Sequence, residues 1–516
     1  MARLSMPLFV FLFLLLFHCV VSISVDDYLD DHESLQLLAS GNDGYTCAKD
    51  KGCEIGCCGP LDKSGKGYCG FGPEFCGKGC TSSCDKKSEC DPGWGKEWAV
   101  NPTCPLNVCC SKFGFCGTTK DFCGDKQVVS PECKGNSATA KTIGYWEGWN
   151  SKRPCGRMPA RDIPLGYYTH LNFAFALIDP KTFQIAHMDQ DTAAQYGELT
   201  MIKQRDPKLK VYLAIGGWAM NDPGPYRTVF SDLAASTSAQ DAFFESLISF
   251  LTNFIFDGVD LDWEYPVDDD RGGKPEDFAN FVTFLKRLRE RLNNSGHNFR
   301  VTITLPYVDW FNVMTYDMHG LWDENVEDFK KKAFAHTNLT EINAGLELLW
   351  RNNVNPERVV MGIGFYGRSF TMQDPNCLTP GCRFKGGAKK GECTGEAGVL
   401  SAGEINRILK TNKDVSIQFD KASAVKIATW DKDQWVSWDD KETLKLKIDY
   451  ANRRCLGGTM IWAVDLDDGS LIEALGQAMG KNKTTIYPDH HDILHPPDII
   501  LRPNDTWPVP LPPAHI

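Results

Sequence analysis

The chain has 516 residues, a formal net charge of −12 and 42% hydrophobic residues, enough for several domains, one of them with a sizeable core. The acidic balance argues against a nucleic-acid groove and suits a neutral partner at least as well. With 21 cysteines, the composition points away from a reducing compartment.

At the N-terminus, Arg3 is followed by an apolar run from Met6 to about Val21, short for a membrane span and bounded by the small residues Ser22 and Ser24. Residues 1–22 are therefore read as a cleaved secretory signal. No later stretch approaches the length of a membrane span, so the expectation is a soluble, secreted, extracellular protein with no membrane partner. Removal of Cys19 with the signal leaves an even 20 cysteines. Residues 23–46 form an acidic lead-in. Sequons at Asn338, Asn482 and Asn504 are compatible with secretion.

Two cysteine-rich stretches follow, 47–86 and 90–133. Fifteen cysteines lie between Cys47 and Cys133, the density of a disulfide scaffold. Zinc is disfavoured there, because His is absent and the cysteines far exceed four per site. No metal or cofactor is expected.

From residue 142 to about 480, short apolar runs alternate with helix-like ones. The predicted strands are Thr142–Gly148, His170–Leu177, Val211–Gly216, Gly258–Glu264, Val301–Leu305, Phe311–Tyr316, Val359–Phe365 and Thr459–Val464. Helix-like segments such as 242–254 and 277–292 lie between them. Eight strands alternating with helices predict an α/β fold, a (β/α)8 TIM barrel, with chemistry at the C-terminal ends of its strands. Only Pro306 to Trp310 connect the fifth and sixth strands, whereas a helical crossover needs a dozen or more residues. Either a segment is missing there, which is the favoured reading, or the barrel is open or rearranged on that side. The stretch 373–450 is too long for a simple crossover and predicts a small α+β insertion stapled by Cys377, Cys382, Cys393 and Cys455. The Pro-rich tail, 481–516, lacks periodicity and is expected to be disordered.

The fourth strand carries the clearest chemistry. Asp260, Asp262 and Glu264 alternate with Val259, Leu261 and Trp263, so a strand presents three acids on one face. Like charges on a buried face cannot all ionise, so a proton is held there near neutral pH, as a glycosidase acid requires. A calcium site or a structural acidic cluster is the competing reading. Calcium, however, favours a flexible Asp/Asn loop with a central Gly over an apolar-alternating strand.

The run DGVDLDWE, residues 257–264, is similar to the DxxDxDxE signature of family 18 chitinases. The resemblance extends over 142–475 through GYWEGW at 144–149, NFAF at 172–175, GGW at 216–218, MTYD at 314–317, FYGR at 365–368 and MIW at 460–462. Together with the cysteine-rich stretches it resembles the fungal killer-toxin-like subgroup. It implies a retaining, substrate-assisted endochitinase in which Glu264 is the acid, Asp262 orients the substrate acetamido group and Asp260 shares a proton with Asp262. It further implies that Tyr316 hydrogen-bonds the acetamido oxygen and that Trp462 forms the floor beneath the sugar. Tyr145, Asp317, Trp322 and Arg368 are the remaining expected substrate contacts. One departure is Ala214, where the family often carries a Ser that hydrogen-bonds the acid relay, so Asp260 needs another partner.

Residues 104–123, CPLNVCCSKFGFCGTTKDFC, resemble hevein-type chitin-binding modules. The resemblance implies the pairs Cys90–Cys110, Cys104–Cys116 and Cys109–Cys123, and sugar contacts from Ser111, Phe113, Phe115 and Phe122. The 47–86 stretch has the same eight-cysteine order in degenerate form, with Tyr68 and Phe75 as its candidate stacking residues. Cys133 is expected to pair with Cys155. The partners implied are chitin and chitooligosaccharides, with a toxin partner subunit also open. The alternative to an enzyme is a catalytically impaired chitin-binding protein or a killer-toxin-like subunit docking on cell-wall chitin.

Overall fold

The computed structural model describes residues 45–126, 128–303, 308–326 and 329–484. The expected signal, nearly all of the acidic lead-in, Asn504 and the tail beyond 484 lie outside the described residues. The chain divides into two compact units, residues 1–130 with 344–354 and residues 131–343 with 355–516.

The larger unit contains the barrel. Its strands are β1 (Thr142–Glu147), β2 (His170–Ile178), β3 (Lys210–Gly216), β4 (Gly258–Asp262), β5 (Arg300–Thr302), β6 (Phe311–Val313), β7 (Val359–Gly364) and β8 (Gly458–Trp462). They pair in parallel in the order β5-β4-β3-β2-β1-β8-β7-β6. Strands β1 to β3, β7 and β8 are mostly apolar because helices cover one face and the barrel interior the other, whereas β4 alternates apolar residues with Asp260 and Asp262. The helix Asp277–Asn293 shows the matching pattern: Phe281, Phe284, Leu285, Leu288 and Leu292 recur at helical spacing and are buried. Trp263 points to this layer, stacking on Phe230 at 5.3 Å and meeting Phe281 edge-on at 4.9 Å. The acids between these apolar residues therefore face the barrel axis.

Among the described residues β5 and β6 share no ladder, which leaves a seam in the barrel there. Residues 304–307 of the short link lie outside the described residues. Two backbone bonds cross the seam, Asp309 N–H to Val301 O at 2.8 Å and Ile303 N–H to Trp310 O at 3.4 Å. Arg289 and Arg300 both pair with Asp309 beside them, at 2.7 and 2.8 Å.

The insertion starts earlier and ends earlier than predicted. Tyr366–Met372 is already one of its strands, pairing antiparallel with Val399–Ser401, Phe384–Gly387 and Gln434–Trp438 in a six-stranded sheet. Its two faces are both covered: Phe370, Phe384 and Trp435 belong to one apolar cluster, and Leu400, Ile405, Val436 and Trp438 to another. The helix Lys441–Arg453, begun by a capping box of Asp440 and Thr443, is the crossover that precedes β8.

The expected Cys133–Cys155 bond is not formed. Cys133 pairs with Cys455, and Cys155 pairs with Cys393. The segment after residue 130 runs against the end of helix 441–453, where Cys133 N–H donates to Arg453 O at 2.9 Å and Ala138 N–H to Asn452 Oδ1 at 3.0 Å. That track brings Cys133 beside Cys455. Of the four cysteines assigned to stapling the insertion, only Cys377 and Cys382 pair with each other.

The smaller unit holds the cysteine-rich stretches. Its second stretch has the expected pairs Cys90–Cys110, Cys104–Cys116 and Cys109–Cys123. Its first repeats that topology as Cys47–Cys58, Cys53–Cys69 and Cys57–Cys76, with a further Cys80–Cys84 bond. So few residues bury little apolar surface, and the disulfides supply the constraint that a core provides elsewhere.

Candidate active site at the barrel mouth

Strand β4 ends at Asp262, and Glu264 stands two residues past it, on the turn rather than in the ladder. Asp260 is 2% exposed and Glu264 is 9% exposed. Burial lifts the Asp260 carboxyl to about 6, against hydrogen bonds from Thr302, Tyr145 and Asn312 that favour its ionised form. Burial lifts Glu264 to about 7, with the Arg271 guanidinium opposing it. Asp262, between them, is pushed well above the carboxylate range by burial and then by its two acidic neighbours. The three groups therefore do not all ionise at neutral pH.

The close approach of β3 to β4 needs its glycines. Gly216 has φ +118°, and a Cβ there would stand 2.1 Å from Asp262 O. Gly217, at φ +83°, donates its N–H to the same carbonyl at 2.8 Å. Next in the chain, Trp218 carries the Arg271 guanidinium 3.6 Å above its ring. Arg271 Nε also donates to Glu264 O at 3.1 Å and Nη1 to Asp222 at 2.8 Å, fixing the acid's backbone.

The aromatic residues converge on the same mouth. Trp462 lies 5.4 Å from Tyr145, 5.7 Å from Phe175, with which it is stacked, and 6.3 Å from Trp149. Tyr145 Oη hydrogen-bonds to Asp260 Oδ2. Tyr316 is buried, with Oη 3.6 Å from Met460 Sδ, and burial followed by the negative charge of Asp262 raises its hydroxyl well above the usual tyrosine range. Asp317 receives two parallel bonds from Arg368, Nε to Oδ1 and Nη2 to Oδ2, each 2.7 Å. Although burial opposes it, Arg368 and His336 hold the Asp317 carboxyl well below the ordinary range. The Arg368 guanidinium is 4.9 Å from the Trp322 ring centre, which ties Trp322 to the same cluster.

All nine barrel residues expected at the site thus gather at this end. Thr302, Asn312, Arg271, His336, Trp149 and Phe175 join them without having been singled out. Trp149 and Phe175 lie within the GYWEGW and NFAF motifs; the others carry no local signal. In the smaller unit, Phe113 is 61% exposed, Phe115 and Phe122 are half-buried, and Ser111 is buried with Oγ accepting from Phe115 N–H at 3.1 Å. Phe115 meets Phe71 edge-on at 5.4 Å, so one side of that ring is already covered. For a metal, the carboxylates of Asp268, Asp269 and Asp270 lie near one another on a turn, while the clustered cysteines are consumed by disulfides.

Residues 141–467 match the family described as Glycosyl hydrolases family 18, and residues 95–136 match the Chitin recognition protein family. The chain is 31% identical over 419 residues to "Secreted chitinase LysM12" of Penicillium expansum, covering 71% of this chain and 27% of that protein. It is also 31% identical over 420 residues to "Killer toxin subunits alpha/beta" of Kluyveromyces lactis, covering 73% of this chain and 34% of that protein. The chain thus spans only about a third or less of the length of these curated relatives. Among solved structures, the Ostrinia furnacalis Group IV chitinase in complex with allosamidin superposes with a TM-score of 0.59 at 28% identity, over 66% of this chain and 99% of that one. With the family match spanning more than half of the sequence and the acids, aromatics and paired glycines gathered at one barrel mouth, the chain belongs to glycosyl hydrolase family 18.

Proposed function

We propose that the protein is a secreted endochitinase that hydrolyses β-1,4 bonds between N-acetylglucosamine units with retention of configuration. The carrying observation is the buried Asp260–Asp262–Glu264 series, in which Glu264 is raised to about 7 and so keeps a proton to donate. In the first step the Glu264 proton passes to the glycosidic oxygen as the bond from that oxygen to the anomeric carbon breaks. The acetamido oxygen of the same sugar bonds to that carbon, replacing a protein nucleophile, and Asp262 holds the acetamido nitrogen and its developing charge. Water then opens the ring intermediate, giving its proton to Glu264. Trp462 floors the reacting sugar, Tyr316 binds the acetamido oxygen, and Asp317 and Arg368 hold the sugar beside Trp322.

Ser111, Phe113, Phe115 and Phe122 are proposed to hold chitin, and residues 47–86 form a second, degenerate binding module. Tethered modules raise the effective concentration of enzyme on an insoluble polymer. Secretion is supported by ten disulfides among the described residues and by the similarity to a protein named as secreted. No helix among the described residues is long and apolar enough to cross a membrane.

The open β5–β6 seam and the killer-toxin relative favour a second reading, a chitin-docking subunit without turnover. Incubation with chitin separates the two. Soluble oligosaccharide released by the wild type and not by Glu264→Gln supports the hydrolase, whereas co-sedimentation without release supports the docking subunit.

A further inference from the structure

Ala214 stands directly in register with Asp260 on the β3 side and offers no hydrogen-bond donor. On the β5 side the register partner is Thr302, whose Oγ1 donates to Asp260 Oδ1 at 2.6 Å. A second donor reaches the same oxygen from β6, Asn312 Nδ2 at 3.1 Å. The orientation of that amide is dictated by its other end, because Trp310 Nε1–H, a donor only, points at Asn312 Oδ1 at 3.0 Å. Thr302 is fully buried, and Asn312 and Trp310 nearly so.

We propose that Thr302 and Asn312 are positioning residues of the reaction, two donors from the strands flanking the open seam that converge on one Asp260 oxygen and hold that carboxylate in place. The inference rests on the hydrolase reading for its kinetic consequence, though not for its structural one. With two donors engaging both lone pairs of Oδ1, any proton that Asp260 takes sits on Oδ2, beside Tyr145 Oη. The titratable groups facing Asp260 are Tyr145 on β1, Asp262 on its own strand and Tyr316 just past β6. Donors to the Asp260 carboxylate favour its charged form, and its charge in turn keeps the proton of the series on Asp262 and Glu264. The same two contacts also clamp β5 to β6 where no continuous ladder does.

The test uses the full chain in four forms: wild type, Thr302→Val, Thr302→Ser and the double variant Ala214→Ser/Thr302→Val. Two quantities are read. One is the Asp260 titration midpoint, from carbon NMR of labelled aspartate with Asp260→Asn as the assignment control. The other is the pH profile of kcat and KM on chitotetraose. Thr302→Val, equal in shape but without the hydroxyl, should raise the Asp260 midpoint by about one pH unit. It should lower kcat by about tenfold with KM little changed. Thr302→Ser should behave as wild type, and the hydroxyl restored on the other side by Ala214→Ser should recover most of both effects. An unmoved midpoint in Thr302→Val overturns the proposal whatever the activity. Loss of kcat in Thr302→Ser, or no recovery in the double variant, also overturns it, since packing is then the cause. A shifted midpoint in a wild-type background that releases no oligosaccharide supports the Asp260 contact and overturns the hydrolase reading instead.

Discussion

Replacing Asp317 by Asn tests the ion pair that organises one wall of the site. The wild-type carboxylate takes both forks of Arg368, and the side chains are 28% and 10% exposed respectively. In Asp317→Asn one oxygen becomes an NH2 that faces a guanidinium N–H, so one bond is lost and donor meets donor. The guanidinium is left charged and enclosed, a change that costs about 3–5 kcal/mol in buried pairs. The contact of Arg368 with Trp322 is made in both forms and cancels in the difference. Because Asp317 is 28% exposed the lower end applies, a net loss of about 3 kcal/mol, or a fall in Tm of about 4 °C for a unit of this size. Calorimetry on the wild type, Asp317→Asn, Arg368→Met and the double variant reads this as a cycle. The double variant should be more stable than the sum of the single losses predicts, by about 2 kcal/mol, because no unpaired charge remains. A Tm for Asp317→Asn within about 2 °C of wild type, or additive losses, would refute the reasoning.

Arg271→Gln removes the cation that holds Glu264 down to about 7, so the basic limb of kcat/KM, which needs Glu264 protonated, should move to higher pH; a limb that stays in place or moves lower sinks this. Buried His319 bridges Asp323 at 2.9 Å and Glu341 at 3.1 Å; burial disfavours its charge, but the two carboxylates win and raise it to about 9. Because that is above the ordinary 6.5, its stabilisation is complete below pH 6.5 and is lost as pH rises through 9, about 3 kcal/mol in all. Chemical denaturation between pH 6 and 9.5 should show that slope in the wild type and not in His319→Gln. Phe113→Ala should weaken sedimentation with chitin roughly fivefold, about 1 kcal/mol of ring stacking, leaving release from soluble chitotetraose unchanged. Equal binding by the variant would remove Phe113 from the chitin-binding surface.

Local patterns carried a good part of this. The alternation from Gly258 to Glu264 was legible because a strand has a period of two, and one correct strand determines which acids share a face. The disulfide topology of the second cysteine-rich stretch was legible from a family resemblance tied to the order and spacing of its cysteines. By contrast, the predicted seventh strand stops at Phe365, and Tyr366–Met372 becomes a strand of the insertion only through its pairing with Gln434–Trp438 and Val399–Ser401. Arg271 and His336 show no motif of their own, because their roles depend on chain segments that meet only after folding.

Short-range pattern, set by backbone geometry, was enough to read three acids on one face, paired glycines before Trp218 and aromatics at strand ends. The sequence by itself also showed that the link between the fifth and sixth strands is too short for a helix. What that shortness does depends on the folded barrel, in which β5 and β6 share no ladder among the described residues and Thr302 and Asn312 turn onto Asp260 from either side of the seam. The tertiary structure alone joined Cys133 to Cys455, 322 residues apart. Such contacts depend on register and on the packing of distant segments, and neither leaves a periodic trace in the chain.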